Sequence, residues 1–447
     1  MKAIRTALVI GAFNLSPVRS AEEPDPTQLL LTSGEKSTPV RSDLVAHEWG
    51  TFTQVIGSDG GTIPWWIPYS EGPTVLPEFV KPVIHVMRKT GIRAWKMRME
   101  TPVIYFYADR EADLMVTVDE SKVPLTEVYP NVSNPLLSLP SEIDPIQAIT
   151  GRSVASPISN ESPFLRRWDL QILPPENEIG TFMLPVGTRG DHYRYAREVP
   201  DAWWVVKRGG NPELPPEVEK FVFYRGAGDG SMPHRIARVQ EETVVFWKSD
   251  QPVFLVETDG ETVRWIRVIP TSADEESGTA EFEHPSANPN ALSDADALAE
   301  ALITDLDEAG LTPEEASAMV ATWEEAWLGE PGFRVLEILP REWVDETLPL
   351  TISPTPGKVE RVFVARWELI GPELEREVLG ILTQDASMED KKSSLRNLDL
   401  GRFSTAVFDR VATIRDRQFR AKYRGWMTEL NRSEAEEEND AVAAAAP

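Results

Sequence analysis

From Leu44 to about Pro270 the apolar residues recur in short runs, each rich in Val, Ile, Phe, Tyr and Trp and bounded by Gly, Pro, Asp or Asn. Such runs predict strands. They fall at Leu44–Val55, Pro102–Ala108, Leu114–Val118, Leu125–Tyr129, Phe164–Leu173, Tyr193–Val199, Lys220–Tyr224, Thr243–Lys248, Pro252–Glu257 and Thr262–Ile269. Asp259-Gly260 joins the last two as a hairpin turn, and Asp59-Gly60 marks another turn. With no amphipathic helices between them, these strands predict an antiparallel sandwich or barrel rather than a doubly wound sheet.

The period changes after residue 290. Leu298, Leu302, Ile303 and Leu306 recur at helical spacing within Ala295–Ala309. Thr312-Pro-Glu-Glu315 opens a second helix. Thr312 is its N-cap, Pro313 takes the first helical position, and Glu315 closes a capping box. Ala316, Met319, Val320, Trp323 and Trp327 form its apolar face, and Gly329 ends it. Phe333–Leu339 and Arg361–Leu369 alternate as strands, whereas Glu373–Thr383, Met388–Leu398 and Arg402–Leu430 return to helix. The expected order is a β-rich domain over 44–270, an acidic linker over 271–290 and an α+β, mainly helical region over 291–430. Thr271–Gly310 holds eleven acidic residues and no basic one, which marks the junction. Residues 21–43 read as a Glu-, Pro-, Thr- and Ser-rich linker, and 431–447 as a disordered acidic and Ala-rich tail.

The N-terminus adds a compartment. Lys2 and Arg5 precede the apolar run Ala7–Phe13, and Val18-Arg-Ser20 offers a cleavage site. Residues 1–20 therefore read as a secretory signal peptide, which predicts an exported protein, periplasmic or extracellular. Neither this run nor any later one approaches the ~18 apolar residues of a transmembrane helix.

Charge and cysteine content remove function classes. The 447 residues carry 72 acidic against 45 basic side chains, a net charge of −27. A surface this negative repels nucleic acid and anionic lipid. The chain has no Cys, so disulfides, thiolate metal sites, a Cys nucleophile and a lipid-anchored N-terminus are all excluded.

Three segments stand together in the first region: His47-Glu-Trp-Gly-Thr-Phe-Thr53, Met99-Glu-Thr-Pro-Val-Ile-Tyr-Phe-Tyr107 and Glu219-Lys-Phe-Val-Phe-Tyr-Arg-Gly226. Leu311-Thr-Pro-Glu-Glu-Ala, Gly332-Phe-Arg-Val-Leu336 and Leu348-Pro-Leu350 accompany them in the second. Together they resemble a family of uncharacterised exported bacterial proteins. The resemblance spans most of the chain after residue 43. It implies export but brings no activity, cofactor or site residue.

Chemistry-bearing motifs are few. His47-Glu48 lacks the second His of a zinc helix, and Gly226-Ala-Gly-Asp-Gly230 lacks the spacing of a dinucleotide loop. There is no phosphate loop and no G-x-S-x-G elbow. His47-Glu48 and Asp191-His192 set imidazole beside carboxylate, as a metal ligand or general base requires. On a strand, however, neighbours face opposite sides. His47, His192 and His234 are the candidate ligands of a divalent metal; no other cofactor is predicted. A satisfied structural His is the competing reading for each, and His284 in the acidic linker reads as solvated. Glu48, Glu100 and Glu127 lie among aromatic residues, where burial raises a carboxyl for general-acid work. Pairing to Arg, with Arg98 and Arg110 nearby, is the competing reading. Trp65-Trp66 and Trp203-Trp204 are doublets in loop-like sequence. Exposed, they are platforms for glycan or for an envelope protein; buried, they are core.

The sequence thus favours an exported, non-catalytic glycan- or protein-binding protein. A carboxylate- or metal-dependent hydrolase of polysaccharide and a structural or assembly protein are the alternatives. Oligomeric state is open.

Overall fold

A computed structural model of the protein describes residues 40–65, 76–83, 95–133, 164–187, 193–209, 215–271, 278–398, 400–415 and 419. The signal segment, most of the linker after it and the acidic tail lie outside these residues.

The longest strand, Val40–Ile56, sits inside a ten-stranded sheet. Across this sheet the order is Val263–Val268, Val253–Thr258, Gly332–Ile338, Thr355–Leu369, Val40–Ile56, Met97–Tyr107, Val222–Gly228, Leu125–Tyr129 and Lys81–Pro82, with Thr62–Ile63 paired to Val40–Ile56. Its central pair, Val40–Ile56 with Thr355–Leu369, is parallel; the other pairs are antiparallel. The parallel register sets Glu48 opposite Arg361, joining residues 313 positions apart.

Period-two alternation decides what each face of this sheet covers. Leu44, Ala46, Phe52, Val335 and Phe363 point to one side, where two smaller sheets lie. One of these contains Leu350–Ser353, Ala112–Asp119, Leu165–Leu173, Trp204–Lys207 and Glu217–Glu219. The other contains Ile236–Val239, Thr243–Trp247 and Thr279–Glu283. Trp49, Val103, Phe223, Leu336 and Val364 point to the opposite side, against Leu298, Leu302 and Leu306 of the helix Ala295–Glu308 and Met319 and Trp323 of the helix Pro313–Glu324. A third cluster gathers Val55, Ile63, Trp65 and Ile370 under the helices Pro372–Thr383 and Ser404–Arg415. Each fully buried large side chain contributes ~1.5–3 kcal/mol by leaving water.

The strand-rich reading holds, and the helical faces are the expected ones. Ala316, Met319, Val320, Trp323 and Trp327 are all buried, and Thr312 and Glu315 form the capping box. A single π-turn, Glu325–Gly329, carries the helix to its stop. Asp259-Gly260 turns the expected hairpin, with Gly260 at φ +90°.

Other expectations differ from the structure. The strands Gly332–Ile338 and Thr355–Leu369 complete the sheet begun before residue 270, so the helices of 295–324 cover that sheet rather than stand apart as a helical domain. The acidic 271–290 stretch holds a strand, Thr279–Glu283, paired to Thr243–Trp247. His284, expected in solvent, is buried; its ring packs at a tilt against Phe333, centroids 4.4 Å apart, and burial lowers its pKa. Tyr193–Arg197 is helical instead of extended, because Tyr193 and Ala196, three apart, share a face against the aromatic side of the large sheet.

Gly50 lies at a register shift between Val40–Ile56 and Met97–Tyr107. A Cβ there would come within 2.8 Å of the Phe363 ring and 3.0 Å of Pro102 Cα. Gly50→Ala should therefore cost ~1–3 kcal/mol by overpacking, seen as a lower urea midpoint at unchanged slope.

Candidate functional site

A cleft of about 810 Å³ opens where Met97–Tyr107 ends. Tyr107 and Trp203 bring aromatic surface to it. Asp43, Asp109, Glu111, Glu176 and Asp201 line it with them, together with Arg110. The rim is tied down by Arg41. Its Nη2 donates to Arg110 O at 2.6 Å and to Asp43 Oδ2 at 2.8 Å, which fixes the turn that carries Asp109, Arg110 and Glu111.

Tyr107 is fixed from below. Its hydroxyl donates to Glu315 Oε1 at 2.6 Å, while Glu315 Oε2 meets His47 Nδ1 at 2.8 Å and accepts the Thr312 N–H at 2.9 Å. The His47 and Tyr107 rings meet edge to face at 5.4 Å. Glu315 is fully buried at the start of a helix, where the dipole favours a carboxylate. Burial, reinforced by Glu315, pushes the Tyr107 phenol upward, so it stays protonated and its ring is held in one orientation. Capping residue, strand His and cleft Tyr thus form one unit.

The acids and bases singled out in the sequence do not meet in this cleft. His47 and Glu48 face opposite sides of the sheet, as strand geometry requires. His47 meets Glu315, whereas Glu48 is fully buried between the Tyr224 hydroxyl and Arg361. Glu100, 1% exposed, accepts from Thr53 at 2.8 Å and from Arg402 at 2.9 Å. Burial alone would raise its carboxyl, but Arg402, Arg98 and Arg225 outweigh that and hold it at about 2. Glu127 lies across the strand pair from Arg225 and accepts from Thr126. Burial lowers the Arg225 guanidinium to about 10 against the pull of Glu127 and Glu100. Asp191 and His192 lie outside the described residues.

His234 is elsewhere. Its Nδ1 contacts Glu337 Oε1 and its Nε2 lies 3.1 Å from Ser249 Oγ, beside a cavity of about 10 Å³. Among the described residues, no group of three or more His, Asp or Glu side chains could hold a metal ion.

Of the Trp doublets, Trp66 lies outside the described residues. Trp65 is 1% exposed, packed on Phe403 under the Arg98 and Arg402 guanidiniums. Trp203 is largely buried but lines the cleft. Trp204 is half-buried, donates to Pro175 O at 3.1 Å and lies under the Lys220 ammonium. Sequence reasoning missed Tyr107, Asp109, Glu176 and Asp201 as cleft residues. Tyr107 ends a quoted segment, but nothing in its spacing announces that it emerges from the sheet.

No family model matches the chain, and no curated protein matches it. Among solved structures, the mu homology domain of Fcho1 from Danio rerio, solved with a bound Eps15 peptide, is similar over 73% of this chain and 97% of its own. The identity is 7% and the TM-score 0.28, a likeness that carries no argument about fold or function. No helix of the described residues is long and apolar enough to cross a membrane.

Proposed function

We propose that the protein is an exported binding protein whose cleft takes a neutral or amine-bearing glycan. The observation that carries this reading is the Tyr107 ring, anchored through its hydroxyl and flanked by Trp203 and by the four carboxylates Asp109, Glu111, Glu176 and Asp201, with Asp43 paired to Arg41 and Arg110 at the rim. An aromatic face stacks on the apolar side of a sugar ring, and carboxylates accept from its hydroxyls. The excess of negative charge disfavours anionic polysaccharide. Asp109, Glu111, Glu176 and Asp201 are exposed, which suits hydroxyl acceptors; a general acid calls for burial. The buried acids Glu48 and Glu100 are engaged by Arg, so binding is favoured over hydrolysis in this cleft.

Calorimetric titration with neutral, amine-bearing and uronic acid oligosaccharides tests the reading. Binding should be confined to the first two classes. Tyr107→Ala should weaken it about tenfold, the equivalent of ~1.4 kcal/mol. Equal binding of the uronic acid oligomers, or affinity indifferent to Tyr107→Ala, would contradict it.

A further inference from the structure

Glu337 is a carboxylate on the core side of Gly332–Ile338, shared with Phe333 and Val335, and is 2% exposed. A carboxylate in such a place costs several kcal/mol unless it is paired, and this one faces a single imidazole. Its Oε1 is in ion-pair contact with His234 Nδ1, and among the described residues neither carboxylate oxygen nor Nδ1 has any other partner. The other imidazole nitrogen, Nε2, lies 3.1 Å from Ser249 Oγ. Ser249 Oγ already accepts the Gln251 N–H at 3.1 Å, so its own proton is free to point at Nε2. That leaves the Nδ1 proton directed at Glu337. Three residues spread over a hundred positions are thus ordered as hydroxyl, imidazole and buried carboxylate, the arrangement that activates a serine.

We propose that Ser249, His234 and Glu337 form a second site, separate from the cleft, that accepts a small acyl group from an ester. Ser249 Oγ bonds to the acyl carbon as its proton passes to His234 Nε2. The ester C–O bond then breaks, and the alcohol leaves with that proton. Water next attacks the acyl-serine, His234 takes its proton, the bond to Oγ breaks, and Ser249 recovers the proton as the carboxylic acid departs. Glu337 orients the imidazole and stabilises its charged form. It also raises the His234 pKa, which strengthens the base.

The surroundings define the substrate. The cavity beside these residues is about 10 Å³, lined by Phe246, Val253 and Trp367, with room for about one water-sized group. That room matches one methyl group, so the acyl group expected is acetyl, with its methyl in the cavity. Arg235 lines the same cavity, its guanidinium 5.7 Å from the centroid of the exposed Trp247 ring, and supplies positive charge for a developing oxyanion.

The test uses the full chain and methanesulfonyl fluoride, whose single methyl is the size of group the cavity takes, with the adduct located by peptide mass mapping. Modification should fall on Ser249 and vanish in Ser249→Ala. His234→Gln should slow it at least about 100-fold, with Glu337→Gln intermediate. In the wild-type protein, the rate should fall as pH drops through the imidazole range, a readout that requires no variant to fold. No adduct on Ser249, or a rate unchanged by His234→Gln or by imidazole protonation, would overturn the proposal.

Discussion

Glu48→Ala should destabilise the protein by about 3–5 kcal/mol, the cost of removing one partner of a buried ion pair. The carboxylate serves two groups that water cannot reach. Arg361, its side chain 1% exposed, donates Nε to it, and the Tyr224 hydroxyl, on a fully buried side chain, donates from another strand. Without Glu48, the carboxylate left to Arg361 among the described residues is Asp345, at 2.8 Å and half in solvent. Asp345→Ala should accordingly cost well under ~1 kcal/mol, as an exposed partner does. Urea unfolding of both variants distinguishes the cases. Replacing the pair together, with Glu48→Leu and Arg361→Met, should recover most of the loss, because the desolvation of both charges disappears with them. A loss from Glu48→Ala no larger than that from Asp345→Ala would show that the pair is not the buried strut described here.

The second large effect is a dependence on acid. Glu100 is held at about 2 by Arg402, Arg98 and Arg225 against the opposing effect of burial. A carboxyl depressed in the folded state stabilises it at any pH above the ordinary carboxylate range and loses that contribution as pH falls towards 2. From the ordinary glutamate value of about 4.3 down to 2, the contribution is about 3 kcal/mol. Glu100→Gln cannot titrate. The difference in unfolding free energy between wild type and Glu100→Gln should therefore shrink by about 3 kcal/mol between pH 6 and pH 2, with the variant losing less. Parallel curves over that range would mean that Glu100 is not held in this field.

Much of the fold was legible in local patterns. The strand at Val40–Ile56 announced itself by its apolar run, the helix at Pro313–Glu324 by Thr312 and Glu315, and the hairpin by Asp259-Gly260. Each signal lies within a few residues and is governed by local geometry. The parallel pairing of Val40–Ile56 with Thr355–Leu369 lies beyond any such signal, because its partners are about three hundred residues apart. That pairing is also what merges the two expected regions into one sheet. Thr279–Glu283 escaped notice because its two Glu and its acidic neighbours mask a strand that pairs along Thr243–Trp247. The functional candidates divide in the same way. Sequence pointed to Glu48 and Glu100 as carboxylates in aromatic surroundings, and both are buried. Their Arg partners, Arg361 and Arg402, come from far along the chain, which no local spacing could reveal. Glu315 was recognised as a cap; its second task, fixing His47 and Tyr107 beneath the cleft, appears only in three dimensions.

The central claim is that the cleft around Tyr107 is a glycan-binding site, and one titration tests it most directly. Wild type and Tyr107→Ala are titrated side by side with amine-bearing and neutral oligosaccharides. The account predicts saturable binding by wild type, about tenfold weaker in Tyr107→Ala, with both proteins melting as folded chains. No heat of binding from either oligosaccharide class, or equal affinity in the two proteins, would contradict it.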